Sequence, residues 1–134
     1  MNEIDYRKWL QSKGYKVKII SDLVSRLKKI EREINNCDID EQYRSDKCEY
    51  LLSLFEKRGD NDRMKKYIPL GLPIGKKHIS TYTHAIYKYI EFCKDVYWWT
   101  WFILITEIDN FWKYLGPLVP GLSLALKRIL HSYF

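Results

Sequence analysis

Cysteine is scarce in this sequence of 134 residues, and its three copies, Cys37, Cys48 and Cys93, lie far apart. Their odd number and the lack of any Cys-x-x-Cys pair argue against a disulfide scaffold and against a zinc site. We therefore expect reduced thiols in a cytoplasmic protein. A phosphate-binding glycine loop is also lacking, because residues 71–77 (GLPIGKK) have neither the spacing nor the trailing Ser or Thr of a P-loop.

Histidine is equally rare, and its positions give no catalytic pattern. His78 and His84 are six residues apart, so they do not share one face of a helix. Neither they nor His131 have a spacing to carboxylates or cysteines that matches a known site. The sequence therefore predicts a protein that is not an enzyme and that needs no metal and no cofactor.

A hydrophobic run long enough for a membrane span is missing. The uncharged run from Val96 to Thr106 is about half of the ~20 residues that a transmembrane helix needs, and Glu107 follows it. Residues 1–16 are polar and lack the apolar core of a secretory signal. We expect a protein that neither spans nor crosses a membrane.

Apolar residues make up 46% of the chain and aromatic residues 16%, which is enough for a packed core. The length corresponds to one domain, or to one small domain with an appendage. The net charge of +6 permits nucleic acid or an anionic membrane as a partner but selects neither.

Apolar residues recur at steps of three and four through most of the chain, and no window alternates at period two. This pattern predicts an all-α protein, a small helical bundle. The stripes place helices at residues 5–12, 17–35, 38–57 (broken near Ser45), 77–94, 96–115 and 122–132, with Asp5 as the first cap. Proline and glycine predict a turn at 58–62 and a loop at 63–75.

Two of these helices carry basic and hydroxyl residues opposite their apolar stripes. At 100° per residue the outer face of 17–35 holds Lys18, Asp22, Ser25, Lys29 and Arg32, and that of 77–94 holds Lys77, Thr81, His84 and Lys88. Such rows suit a phosphate backbone, because cations release condensed counterions and hydroxyls donate hydrogen bonds. An ordinary solvated face looks the same, since Asp22–Arg26 and Lys29–Glu33 are spaced for ion pairs.

Two stretches resemble the SAM-like core-binding domain of tyrosine recombinases, the phage integrases. Residues 6–33 (YRKWLQSKGYKVKIISDLVSRLKKIERE) are similar to its opening, in which a short helix, a Leu-x-x-x-Gly turn and a long helix follow one another. Leu10 to Gly14 match the turn. Residues 80–93 (STYTHAIYKYIEFC) are similar to the last helix, with an approximate Tyr-x-x-Ala-[Ile/Leu]-[Arg/Lys]-x-Tyr pattern. The resemblance covers residues 3–95.

The resemblance implies a four-helix cluster at residues 1–95 that grips one face of duplex DNA with its second and fourth helices. Carried over by position, the implied DNA contacts are Lys16, Lys18, Ser25, Lys29, Lys77, Thr81, His84 and Lys88. In that family the core-binding domain does no chemistry, and the catalytic domain of a recombinase is not among these residues. We therefore expect a non-catalytic module that binds the DNA backbone.

Residues 96–134 depart from this resemblance, and four of the five tryptophans lie within 97–115. A helix there has a narrow polar strip, so the rest must be buried. Extra helices packed on the bundle, an interfacial membrane anchor and a remnant of a longer gene are three interpretations. The fourth is the alternative function: a protein-interaction module, such as a phage-type inhibitor or an assembly subunit, that binds no DNA. It would use a homo-oligomer or protein interface with Trp98, Trp101, Phe102 and Trp112 as anchors.

Overall fold

The structure is a computed structural model that describes residues 1–35, 37–67 and 71–115, with the backbone alone at 111, 112, 114 and 115. Within these ranges the regular elements are all helical, which confirms the all-α prediction. They are α1 (Glu3–Ser12), α2 (Val17–Glu33), α3 (Ile39–Asp46), α4 (Glu49–Leu54), α5 (Asp62–Lys65) and α6 (Ser80–Leu115), with 3₁₀ turns at Glu56–Gly59 and Lys77–Ile79. The chain divides into two compact units, Met1–Lys94 and Asp95–Phe134.

Helix α1 is defined by its two caps. The Asn2 side chain accepts a hydrogen bond from the Asp5 N–H, and acidic residues in the first turn favour the positive end of the helix dipole. Asp5 was therefore wrong as the predicted cap. At the other end the N–H of Tyr15 donates to the Leu10 carbonyl across Gly14, whose φ of +85° suits glycine.

The core of the first unit lies under the apolar stripe of α2. Its buried side chains on that helix are Ile20, Leu23, Val24, Leu27 and Ile30, and Ile34 follows just after the helix. They recur at the three- and four-residue steps of one helix face, so burial on that face stabilises the helix. Val17, which the sequence places on the same stripe, is instead 81% exposed because it begins the helix beyond the edge of the core.

An aromatic cluster joins the N-terminal helix to α6. The Tyr6 ring lies 4.9 Å from that of Tyr89 and 5.3 Å from that of Phe92, and Trp9 lies 5.9 Å from Phe92, between centroids. The Tyr89 hydroxyl accepts from the Asn2 N–H at 2.9 Å and donates to the Asp40 carboxylate. One side chain of α6 therefore holds both α1 and α3 in place.

Several predicted boundaries are wrong. The break between α3 and α4 falls at Lys47 and Cys48, which are left-handed, close to the break predicted near Ser45, but α4 ends at Leu54 and not at Lys57. A short helix, α5, begins inside the predicted turn and ends inside the predicted loop, because the Asn61 side chain accepts from the Met64 N–H and caps it. The helices expected at 77–94 and 96–115 are one continuous helix from Ser80, and the helix expected at 122–132 lies outside the described residues.

Candidate nucleic-acid interface

The start of α2 is a positively charged surface. Lys16, Val17 and Lys18 are exposed, the cap residue Lys16 makes no side-chain capping bond, and the first turn has no acidic residue. Among the described residues, neither lysine has a carboxylate partner within ion-pair distance. These charges add to the positive end of the helix dipole, so the potential here favours an anion.

Further along α2 the cations fall into two groups. Lys28 lies 2.7 Å from the Glu3 carboxylate and Arg32 lies 3.6 Å from that of Glu33. Lys29 is half-buried and, in the part of the chain that the structure describes, forms neither an ion pair with Glu33 nor one with another acid. Ser25 is exposed, and its hydroxyl donates to the Asp22 carbonyl at 3.4 Å.

Two ion pairs that the sequence permits on α2 are not formed. The Asp22–Arg26 and Lys29–Glu33 spacings suit such pairs, but the described residues show neither, and Glu33 pairs with Arg32 instead. Arg26 and Lys29 are therefore left without an acidic partner among the described residues, and Asp22 without a basic one.

Lys88 connects α6 to the start of α2. Its ammonium lies 5.6 Å from the centroid of the Tyr15 ring and 3.1 Å from the Glu91 carboxylate. Hydrogen bonds to Tyr15 and then to Glu91 raise the pKa of Lys88, so it stays charged. Because Tyr15 directly precedes Lys16, the polar face of α6 meets the beginning of α2 at this point.

The other predicted contacts on α6 are spread along it. His84 is exposed, and Thr81 is half-buried with its hydroxyl donating to the His78 carbonyl at 2.8 Å. Lys77 is exposed but lies in the 3₁₀ turn that precedes the helix, not on the helix itself. The helical rise puts Lys77 and Lys88 roughly 15–20 Å apart.

Sequence reasoning missed three exposed cations near Lys77, namely Lys57, Arg58 and Lys76. The signal for them in the sequence was weak. It consists of two pairs of adjacent basic residues, one directly before Gly59 and one directly after Gly75. Their proximity depends on the packing of two loops, which the sequence pattern does not specify.

The three thiols of the first unit are unreactive as nucleophiles. Burial raises the pKa of Cys37 to about 11 and those of Cys48 and Cys93 to about 12, so all three are protonated at neutral pH and are poor nucleophiles. Within the described ranges, no group of three or more His, Cys, Asp or Glu residues is placed to hold a metal ion.

A cleft of about 300 Å³ beside Cys37 is lined by Asp38, Tyr50 and Tyr67, among others.

The described part of the second unit has an apolar surface. Nine large apolar side chains between Val96 and Ile105 are exposed, with Trp98 at 69% and Trp99 at 64%. The described residues of the chain therefore do not cover these side chains, and their burial in a partner stays a prediction. Of the predicted anchors, Trp98, Trp101 and Phe102 are exposed, whereas the side chain of Trp112 is outside the described residues. None of the described helices is both long and apolar enough to cross a membrane.

No protein-family model, no curated protein and no solved structure matches this chain. The resemblance to the core-binding domains of tyrosine recombinases therefore stays a prediction.

Proposed function

We propose that residues 1–94 are a non-catalytic DNA-binding module that grips the duplex backbone as an integrase-type core-binding domain would. The observation that carries this proposal is the contact of Lys88 with Tyr15. It joins the polar face of α6 to the start of α2, where Lys16 and Lys18 have no acidic partner among the described residues.

The spacing of the charges supports a duplex as the ligand. Lys77 and Lys88 lie roughly 15–20 Å apart, which is wider than the ~12 Å major groove of B-DNA, so the two cations can lie on either side of it. Lys77, just before α6, and Lys88, in its third turn, can thus approach phosphates on the two sides of one groove. His84, between them and exposed, faces the same ligand.

The proposal is tested by fluorescence anisotropy with a random-sequence duplex over a series of salt concentrations. Lys16→Ala with Lys18→Ala removes two phosphate contacts, so the slope of log K against log[salt] should fall by roughly 2. Lys88 is a poorer choice for this test, because its substitution also breaks the contacts with Tyr15 and Glu91.

The matched control is Lys28→Ala with Arg32→Ala, which removes the same charge from the same helix but from cations already paired with Glu3 and Glu33. Its slope should change much less. An equal loss in both double variants would mean that net charge alone governs binding. No binding by the unmodified chain at low salt would refute the module itself.

A second candidate function is a protein-interaction module, for which the exposed segment Val96–Ile105 is the specific observation. A whole aromatic side chain has an area of about 150–250 Å². With the exposed fractions of the nine side chains, this gives an exposed apolar area on the order of 800–1,000 Å² per chain. Two copies together would bury at most ~1,600–2,000 Å², because these side chains surround the helix, and this maximum lies within the ~1,200–2,000 Å² of a stable interface. A second copy of this chain is therefore the proposed partner.

Light scattering after size-exclusion chromatography over a hundredfold range of concentration tests the self-association. Trp98→Gln with Phe102→Gln, which share one helix face, should shift the chain towards the monomer. Ile4→Gln with Val17→Gln alters two exposed apolar residues elsewhere and should leave the mass unchanged. A monomer at every concentration before any substitution would rule out a second copy as the partner.

A further inference from the structure

Two loops of the first unit, 56–60 and 74–78, are packed against each other. The Gly75 N–H donates to the Arg58 carbonyl at 2.7 Å. Gly59 is buried between them, and a Cβ built there would lie 2.9 Å from Cδ1 of Ile74 and 3.2 Å from Cδ1 of Ile79. The Asn61 side chain also holds the start of the first loop, because its amide donates to the carbonyls of Leu54 and Glu56 at 2.9 Å each. The two loops therefore form one rigid surface.

This surface presents four exposed cations, which we call the loop pad: Lys57, Arg58, Lys76 and Lys77. In the described part of the chain none of the four lies within ion-pair distance of a carboxylate. Nearby cations do: Arg63 lies 3.5 Å from Glu56 and Lys65 lies 3.3 Å from Asp62. The two cations of α5 are thus paired with carboxylates, whereas the four cations of the loop pad are not.

The backbone under the loop pad is in an unfavourable conformation. Lys57 has φ 52° and ψ 40°, and Arg58 has φ 57° and ψ 31°, so two consecutive residues with a Cβ are left-handed. Glycine and asparagine adopt this region more readily, and folding alone would favour them here. Residues held in such regions are concentrated at functional sites. Lys47 and Cys48 have the same conformation at a helix break, so at Lys57 and Arg58 the backbone supports a site only together with their unpaired charges.

We infer that the loop pad is a second phosphate-binding site of the module, one that contacts the backbone of the same duplex beyond the end of α6. This inference rests on the proposed DNA-binding function. The loop that follows Gly71 starts beside the end of α2, where the Gly71 N–H donates to Glu33 at 3.1 Å, and leads into α6. The loop pad therefore lies next to the first residue of α6, whereas Lys88 lies in the third turn of that helix. In this position the loop pad extends the cationic surface along the duplex.

The test is the double substitution Lys57→Gly with Arg58→Gly. It removes two charges and relieves two left-handed residues, so the two readouts should move in opposite directions. The melting temperature should rise by a few degrees, because glycine adopts these angles at little cost. The salt slope should fall by roughly 2, and affinity in 0.1 M salt should fall by about tenfold or more.

The matched control is Arg63→Gln with Lys65→Gln, which removes two exposed but paired charges from adjacent α5. It should leave the salt slope unchanged. If the glycine variant does not fold, Lys57→Gln with Lys76→Gln removes two charges of the loop pad without adding glycine and leaves Lys77, which the proposed function already uses, in place; the same loss of roughly 2 in slope is expected.

An unchanged slope in the loop variant would overturn the inference, and so would an equal loss in the α5 control. If Lys16→Ala with Lys18→Ala lowers the slope and the loop variant does not, the proposed function stands without the loop pad. If only the loop variant lowers it, the loop pad stands and the contacts assigned to α2 fall. A chain that binds no duplex at low salt overturns both.

Discussion

Gly59→Ala is the substitution whose cost the structure defines best. Gly59 has φ +79° and is buried where the 56–60 loop meets Ile74 and Ile79. A methyl group there meets one side chain at 2.9 Å and the other at 3.2 Å, and both distances are closer than ordinary van der Waals contact. The substitution therefore adds steric crowding to a backbone conformation that alanine avoids.

Two contributions set the size of the effect. The left-handed conformation costs an L-residue about 1–2 kcal/mol. Overpacking a rigid site costs typically ~1–3 kcal/mol, since the isoleucine side chains must shift. We expect Gly59→Ala to lower the free energy of unfolding by about 2–5 kcal/mol, or the melting temperature by roughly 10–25 °C for a unit of this size.

Gly14→Ala isolates the first contribution. Gly14 has φ +85°, but a Cβ there has no atom within 4 Å, so only the conformational cost of about 1–2 kcal/mol applies. Urea denaturation of both variants, followed by circular dichroism, gives the difference as the packing contribution. If Gly59→Ala costs no more than Gly14→Ala, the two loops do not pack as described.

Three further predictions follow from the contacts of the first unit. Burial alone would lower the pKa of the Met1 amine, but hydrogen bonds to Asp38 and Glu31 raise it to about 10. The resulting stability is complete below pH 8.0 and is lost as pH rises towards 10. It amounts to ~2.7 kcal/mol before solvent screening and to ~1 kcal/mol after it. Asp38→Asn keeps the side-chain cap of α3, and urea titrations of this variant should show a smaller loss of unfolding free energy over the same pH range. Tyr89→Phe leaves the Asn2 N–H without its partner and removes one of the two partners of the Asp40 carboxylate, which keeps its ion pair with the Met1 amine. The substitution should cost about 1–3 kcal/mol by denaturation, and no cost would contradict the hydrogen-bond network. Cys48 and Cys93 should not react with a thiol reagent in the native state, whereas fast reaction of either would contradict their burial.

The sequence predicts the α2 helix well because a single strong signal decides it. Its apolar residues repeat at helical spacing over five turns, and most of them form the core. The boundary at Lys94–Val96 was wrong for the opposite reason. The composition changes there from amphipathic to apolar, but no glycine or proline interrupts the backbone hydrogen bonds, so α6 continues.

The residue types of the candidate site could be predicted from the sequence, but the contacts between its side chains could not. Exposed Lys18 could be recognised from helix geometry, whereas Lys16 was implied only by the family resemblance. The contact of Lys88 with Tyr15 spans far-separated parts of the chain, and no local pattern encodes it. The left-handed Lys57 and Arg58 are of residue types that rarely adopt that conformation, so sequence statistics point away from it.

The bond between Tyr89 and the Asn2 backbone spans 87 residues, and this separation has a consequence for synthesis of the chain. At about 5–20 residues per second, roughly 4–17 s pass between translation of the first helix and translation of the residue that anchors it. During that interval Tyr6 and Trp9 have no Phe92 to pack against. The nascent chain therefore exposes an aromatic surface on the ribosome, where chaperones that recognise such side chains have several seconds to bind it.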